Sequence, residues 1–106
     1  MRGPPAYDEE QARALAPLLE AIGREILERQ DAVRELVQRS SAMIDDVERV
    51  ARELSHHRAE LERAHLELAR LGCALVGRRP MTFRIRRLSL EGPRSFLWQG
   101  NELIAY

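Results

Sequence analysis

Two groups of residues in this 106-residue chain have side chains suited to chemistry. The first is Glu53, His56, His57, Glu60 and His65. Glu53 and His57 stand four apart, as do His56 and Glu60, so each pair shares a face wherever the segment is helical. Facing helices that each supply a Glu and a Glu-x-x-His set build dinuclear carboxylate sites, and Glu53-Leu54-Ser55-His56 has that spacing. The same spacing argues against the site. His56 points away from the apolar seam of its helix, Glu53 only flanks that seam, and no matching glutamate occupies a seam position upstream. His57 does sit in the seam, where a single polar residue fixes register or partner number. Glu53, His57 and Glu60 are thus the metal-ligand candidates, with register as the plainer role for His57.

The second group is Arg78, Arg79, Arg84, Arg86, Arg87 and Arg94, interleaved with Phe83, Phe96 and Trp98. Arginines and aromatics on a sheet hold single-stranded nucleic acid by phosphate contact and base stacking, which makes Arg78, Arg79, Arg84, Arg86, Arg87 and Trp98 the candidates for that role. The plainer alternative pairs these arginines with acidic helix faces and puts the aromatics in a core. Catalysis has less to stand on. Cys73 follows a helix C-terminus, where the dipole raises a thiol pKa instead of activating the group. No Ser-His-Asp spacing, phosphate loop or paired carboxylates stand out, so no enzyme and no cofactor are expected.

These residues need elements to position them, and one pattern dominates. From Ala12 to Leu71 an apolar seam repeats every seven residues. One set of positions is Ala12, Leu19, Ile26, Val33, Ser40, Val47, Leu54, Leu61 and Leu68. The other is Leu15, Ile22, Arg29, Leu36, Met43, Val50, His57, Ala64 and Leu71. All but Ser40, Arg29 and His57 are apolar, in a chain that is 44% apolar. Such a stripe forms one helix face and demands a partner. Tyr7-Asp8-Glu9-Glu10-Gln11 reads as a helix start, with Asp8 and Gln11 spaced for a capping box. Pro17 predicts a kink near Ala14 to Ala16, and Gly23 loosens the next turn by about 1 kcal/mol relative to Ala. Ser40-Ser41 is the place for a turn, although no Gly or Pro marks it and one unbroken helix is the rival. A turn there makes Ile26 face His57 and brings Glu53 near Arg29. Gly72 ends the helical pattern.

Beyond the break at Gly77-Arg78-Arg79-Pro80 the period changes to two. Met81 to Leu90, Ser95 to Trp98 and Leu103 to Tyr106 read as three strands, separated by turns at Glu91-Gly92-Pro93-Arg94 and Gln99-Gly100-Asn101-Glu102. Phe83 and Ile85 share one face. Leu88 and Leu90 take the other parity, which predicts a bulge at Arg86-Arg87 or two covered faces. Residues 1–7, with Gly3, Pro4 and Pro5, read as a loose arm.

The bulk numbers bound the partners. Formal charge is zero, but residues 1–72 carry eleven Arg against fifteen acidic residues, and residues 73–106 carry six Arg against two. The halves therefore hold −4 and +4. The lone Cys73 forms no disulfide framework. No apolar run is long enough to cross a bilayer, and residues 1–30 lack a signal-peptide pattern, so no membrane partner and a cytoplasmic location are expected.

The tail carries a resemblance. Leu90-Glu91-Gly92-Pro93-Arg94-Ser95-Phe96-Leu97-Trp98-Gln99-Gly100-Asn101-Glu102-Leu103-Ile104-Ala105-Tyr106 resembles the ending G-R-x-V-Y-L-C-W-x-x-G-E-x-x-I-x-x-W-H of an uncharacterised bacterial family (domain of unknown function 2203 type). That family opens on a helix like F-T-x-E-E-A-N-x-L-L-P, to which Tyr7 to Pro17 is similar, and its helical segment ends in Leu-Gly, as at Leu71-Gly72. Leu97 and Asn101 replace the family's Cys and first Glu, Arg79-Pro80 stands for its Asp-Phe-Pro, and its closing Trp-His has no counterpart. The resemblance implies a helical hairpin with a small sheet and favours the turn near Ser40-Ser41. It implies no activity.

The expected fold is α+β and mostly α: one domain, with a long antiparallel coiled-coil-like helical hairpin over 8–72 and a three-stranded antiparallel meander over 73–106. Leu18, Val37, Ile44 and Ala51 widen the seam beyond what one hairpin covers. With His57 they make an oligomer seam, and a homodimer or higher homo-oligomer with a four-helix core is the expected state. The expected role is a non-catalytic, self-associating interaction or scaffold protein, open to an unidentified protein partner. A nucleic-acid-binding module and a metal-binding bundle are the alternatives.

Overall fold

Asp8 starts the first helix as its sequence requires. The Gln11 amide donates to Asp8 Oδ1 at 2.8 Å and the Asp8 amide to Gln11 Oε1 at 3.0 Å, a reciprocal capping box. The computed structural model describes residues 3–42 and 47–106, with backbone alone at 40–42. Helix α1 spans Glu9–Ala42 and helix α2 spans Val47–Arg70. Strands β1 (Cys73–Arg78), β2 (Met81–Arg87), β3 (Arg94–Gln99) and β4 (Glu102–Ala105) follow, each antiparallel to the next, in the order β1-β2-β3-β4. The chain is α+β and mostly α, with four strands where three were expected.

The extra strand is β1. It follows Gly72 directly, which has φ 74 and whose amide donates to the Ala69 carbonyl, closing α2. Cys73-Ala74-Leu75-Val76 has no element assigned from sequence because its period is ambiguous over so few residues, but pairing with β2 decides it. The tight turn at Arg79-Pro80, whose peptide is cis, joins β1 to β2. The register irregularity also moves: it lies between Leu75 and Gly77 in β1, while β2 pairs with β3 without interruption through Arg87 and Arg94. Leu88 and Leu90 lie outside the strands and are exposed. In the last turn Gly100 has φ 62 while Asn101 does not have positive φ, the type II′ pattern that suits a two-residue hairpin.

Alternation then sorts the sheet. Cys73, Ile85 and Phe96 form one cross-strand row, and Leu75, Phe83, Trp98 and Leu103 the next. Both rows face Ala12, Ala16, Leu19, Ile22 and Ile26 of α1 and Ala64 and Leu68 of α2, which together make the core. Helix α1 crosses β2 at Gly23. A Cβ built there would meet Phe83 Cζ at 2.5 Å and Met81 Sδ at 2.8 Å, so the residue that weakens the helix is the one that lets the sheet approach.

The helices touch along the seam. Glu25 meets Arg63, and Arg29 meets His57, so the α2 partner recedes as α1 advances. Arg29 bonds His57 and Glu25 in place of the expected Glu53, about one helical turn away. Helix α1 runs on through Pro17 and through Ser40 and Ser41 to Ala42, so those serines are not the turn. The link at 43–46 lies outside the described residues, as does Ile44.

Of the segment expected as a loose arm, the part from Pro4 to Tyr7 is docked. The Tyr7 amide donates to the Arg86 carbonyl at 3.0 Å, the Leu88 amide to the Tyr7 carbonyl at 2.9 Å, and the Tyr7 hydroxyl to the Leu71 carbonyl at 2.6 Å. Arg86 donates to the Pro4 carbonyl at 2.6 Å. Tyr7 thus extends the sheet beside the start of β1, as a parallel bridge to Arg87. Four backbone and side-chain bonds outweigh the freedom that Gly3, Pro4 and Pro5 suggested. No helix among the described residues is long and apolar enough to cross a membrane.

Candidate functional site

The polar interruptions of the seam come together between the helices. Arg29 Nη1 lies 3.2 Å from His57 Nδ1, both half-buried, and Arg29 Nε lies 3.5 Å from Glu25. Glu25 is also 3.2 Å from Arg63, which reaches Glu60 at 2.6 Å and Glu67 at 3.4 Å. Arg63 sits three residues from Glu60 and four from Glu67, so one guanidinium serves a whole turn on each side. The hydrogen bond from Arg63 holds the Glu60 carboxyl below its ordinary pKa, with the nearby charges of Arg63, Arg29 and His56 adding to the effect. Both partners are exposed or nearly so, and such a network fixes register more than it stabilises.

This arrangement does not favour the metal candidates. Glu53 is exposed, Glu60 is held by Arg63, and His57 shares its Nδ1 with a guanidinium, whose charge opposes a cation. His56 stacks at a tilt beside His57, with ring centroids 5.8 Å apart, and His65 lies elsewhere, at a cleft lined by Leu27, Gln30 and Arg78. Among the described residues no three His, Cys, Asp or Glu side chains gather into a metal-binding set.

The sheet arginines separate from their aromatics. Trp98 is 9% exposed and donates from Nε1 to Glu20 at 3.1 Å; Phe83 and Phe96 are buried with it. No ring face remains for a base, which corrects the stacking role read for Trp98: a strand period puts Phe83, Phe96 and Trp98 on the helix-facing side. Arg78 reaches back to Gln30 at 2.7 Å and to Asp31. Arg87 lies over the Phe96 ring, 5.4 Å from its centroid, and Arg86 on the Pro4 carbonyl. Arg79 and Arg84 are exposed. No protein-family model, curated protein or solved structure matches the chain.

Cys73 is buried at the start of β1, and burial pushes its thiol up to about 11. The dipole argument from sequence gave the same direction with a smaller cause; the larger one, desolvation beneath the helices, needed the unforeseen β1.

The remaining surface of note is apolar. The core cluster takes nothing from α1 beyond Ile26 and nothing from α2 before Leu61. Past those points Leu36 and Val50 are buried, Val33 and Leu54 are half-buried, and Val37, Val47 and Ala51 are exposed, Val47 by 73%. Leu18, 44% exposed, lies on the same helix as Val37 but near its other end. Of the seam residues expected to meet a second copy, Leu18, Val37 and Ala51 are therefore at the surface, while His57 is engaged with Arg29.

Proposed function

We propose that the chain is a non-catalytic, self-associating helical protein whose α1 and α2 fold on each other as a coiled-coil-like hairpin about the 43–46 link. Its partner is a second copy. The observation that carries this reading is the exposed apolar surface of Val37, Val47 and Ala51 beside the buried Leu36 and Val50: from Ala32 to Ala42 and from Val47 to His57 the helices project beyond the sheet, by roughly 16 Å at 1.5 Å per residue. Two helices alone cannot dry a seam on both sides, and the heptad spacing continues through this stretch without a third layer to receive it. A second hairpin laid against Val47 and Ala51 completes a four-helix core. The tail resemblance, which implies a hairpin with a sheet, points the same way.

Sedimentation equilibrium tests it. The wild type sediments as a dimer, and Val47→Glu with Ala51→Glu, both at exposed positions, yields a folded monomer by circular dichroism. A wild type that remains a strict monomer across the accessible concentration range sinks the reading.

A further inference from the structure

The end of the sheet away from the β1–β2 turn holds an arrangement that self-association does not use. Arg87 and Arg94 are direct cross-strand partners in β2 and β3. Like charges directly opposite destabilise an antiparallel pair, so the sequence tolerates a loss here. Both residues line an open cleft of about 410 Å³, together with Arg86, Ser89, Gly92 and Ala6. Neither Arg86 nor Arg87 has a carboxylate within ion-pair distance among the described residues. Their heads are oriented instead by uncharged groups, the Pro4 carbonyl and the Phe96 ring, while Asp8 and Glu9 line a neighbouring cleft with Arg87. The nearest acids on α1 are committed: Asp8 caps Gln11 and Glu9 pairs with Arg13 at 3.3 Å. Only Glu91 offers a carboxylate to the cleft, 3.6 Å from Arg94, through an exposed side chain. Gly92, with φ 101 and nothing within 4 Å of a built Cβ, leaves the turn backbone bare at the rim.

We infer that this cleft binds the phosphate group of a small phosphate monoester. Guanidinium forks match the terminal oxygens of a phosphate dianion, and two or three of them balance its charge. The volume exceeds that of the ion and admits a small organic group behind it. Glu91 then acts as an internal competitor, occupying Arg94 until the ligand displaces it.

The test is a titration of the full chain with phenyl phosphate, followed by amide chemical shifts. The amides of Ser89 to Arg94 move and saturate, while matched chloride leaves them still. Arg87→Gln and Arg94→Gln each weaken binding by about tenfold, as expected for one charge-assisted hydrogen bond. Arg84→Gln, outside the cleft lining, leaves affinity unchanged, and Glu91→Gln strengthens it. Arg94→Gln also melts no lower than the wild type, because it relieves the Arg87–Arg94 repulsion, which separates lost binding from lost folding. Absence of saturation, equal shifts with chloride, or full binding by both arginine variants overturns the inference. So does saturation of the same amides by a single-stranded oligonucleotide but not by the monoester.

Discussion

Gly23→Ala will destabilise the protein, against the ordinary expectation for a glycine inside a helix. On helix propensity alone the change gains about 1 kcal/mol. The new methyl would stand 2.5 Å from Phe83 Cζ, where carbon atoms normally settle at about 3.5–4 Å, so roughly 1 Å must be found. Met81 is half-buried and unbranched and can turn aside. Phe83 is fully buried between the Leu75 and Trp98 positions of its row and cannot, so α1 must lift off the sheet and loosen the contacts of Leu19 and Ile26. Overpacking of this kind costs about 1–3 kcal/mol, and the rigid aromatic puts this case at the upper end. The net loss is about 2 kcal/mol, near a thirtyfold fall in the ratio of folded to unfolded protein. Urea titration followed by the fluorescence of Trp98, the single tryptophan, measures it. Phe83→Leu supplies the second arm of a double-mutant cycle: with the ring gone, Gly23→Ala should stabilise by about 1 kcal/mol, a coupling of about 3 kcal/mol. If Gly23→Ala stabilises equally in both backgrounds, the close approach of α1 to β2 at this point is refuted.

Two further expectations concern the buried end of the sheet. Cys73 has its thiol pKa raised by burial to about 11, so the protonated form is favoured by folding. The associated stability is present below the unfolded value near 9 and is lost as pH rises toward 11, by about 3 kcal/mol at most. Urea midpoints should therefore fall over that window in the wild type and fall less in Cys73→Ala; parallel curves for the two proteins would refute it. Burial also raises the Tyr7 phenol, which acts in the same direction, so Tyr7→Phe should flatten part of the remaining slope. At neutral pH Tyr7→Phe removes the 2.6 Å bond to the Leu71 carbonyl and should cost about 1 kcal/mol, with faster hydrogen exchange at the Leu88 amide; unchanged exchange there would mean that the phenol does not hold the segment in place.

What was legible in the sequence was whatever rests on local spacing. The capping box at Asp8 and Gln11, the end of α2 at Gly72, the turn at Gly100-Asn101 and the burial of Phe83 and Ile85 each depend on a few neighbouring residues, and each is found. Arg29 and His57 were legible as the polar interruptions of the seam, but their register was not: a turn placed at Ser40-Ser41 puts Glu53, not His57, nearest Arg29. The misses are non-local. Strand β1 exists because β2 lies beside it, and the docking of Pro4 to Tyr7 because Arg86 and Leu71 wait far along the chain. Gly23 showed the limit best, since a propensity scale reads it as a weakness and only the neighbouring sheet gives it a purpose.

The docked N-terminal segment bears on the order in which the chain can assemble. Pro4 and Tyr7 leave the ribosome before any of their partners, and those partners lie 64 and 82 residues later in sequence. Closing so long a loop gains nothing until the sheet has formed a place to receive it. Both helices can therefore pair while Tyr7 is still free, and a segment made before all its partners becomes the last to settle, sealing the junction between α2 and β2 from outside.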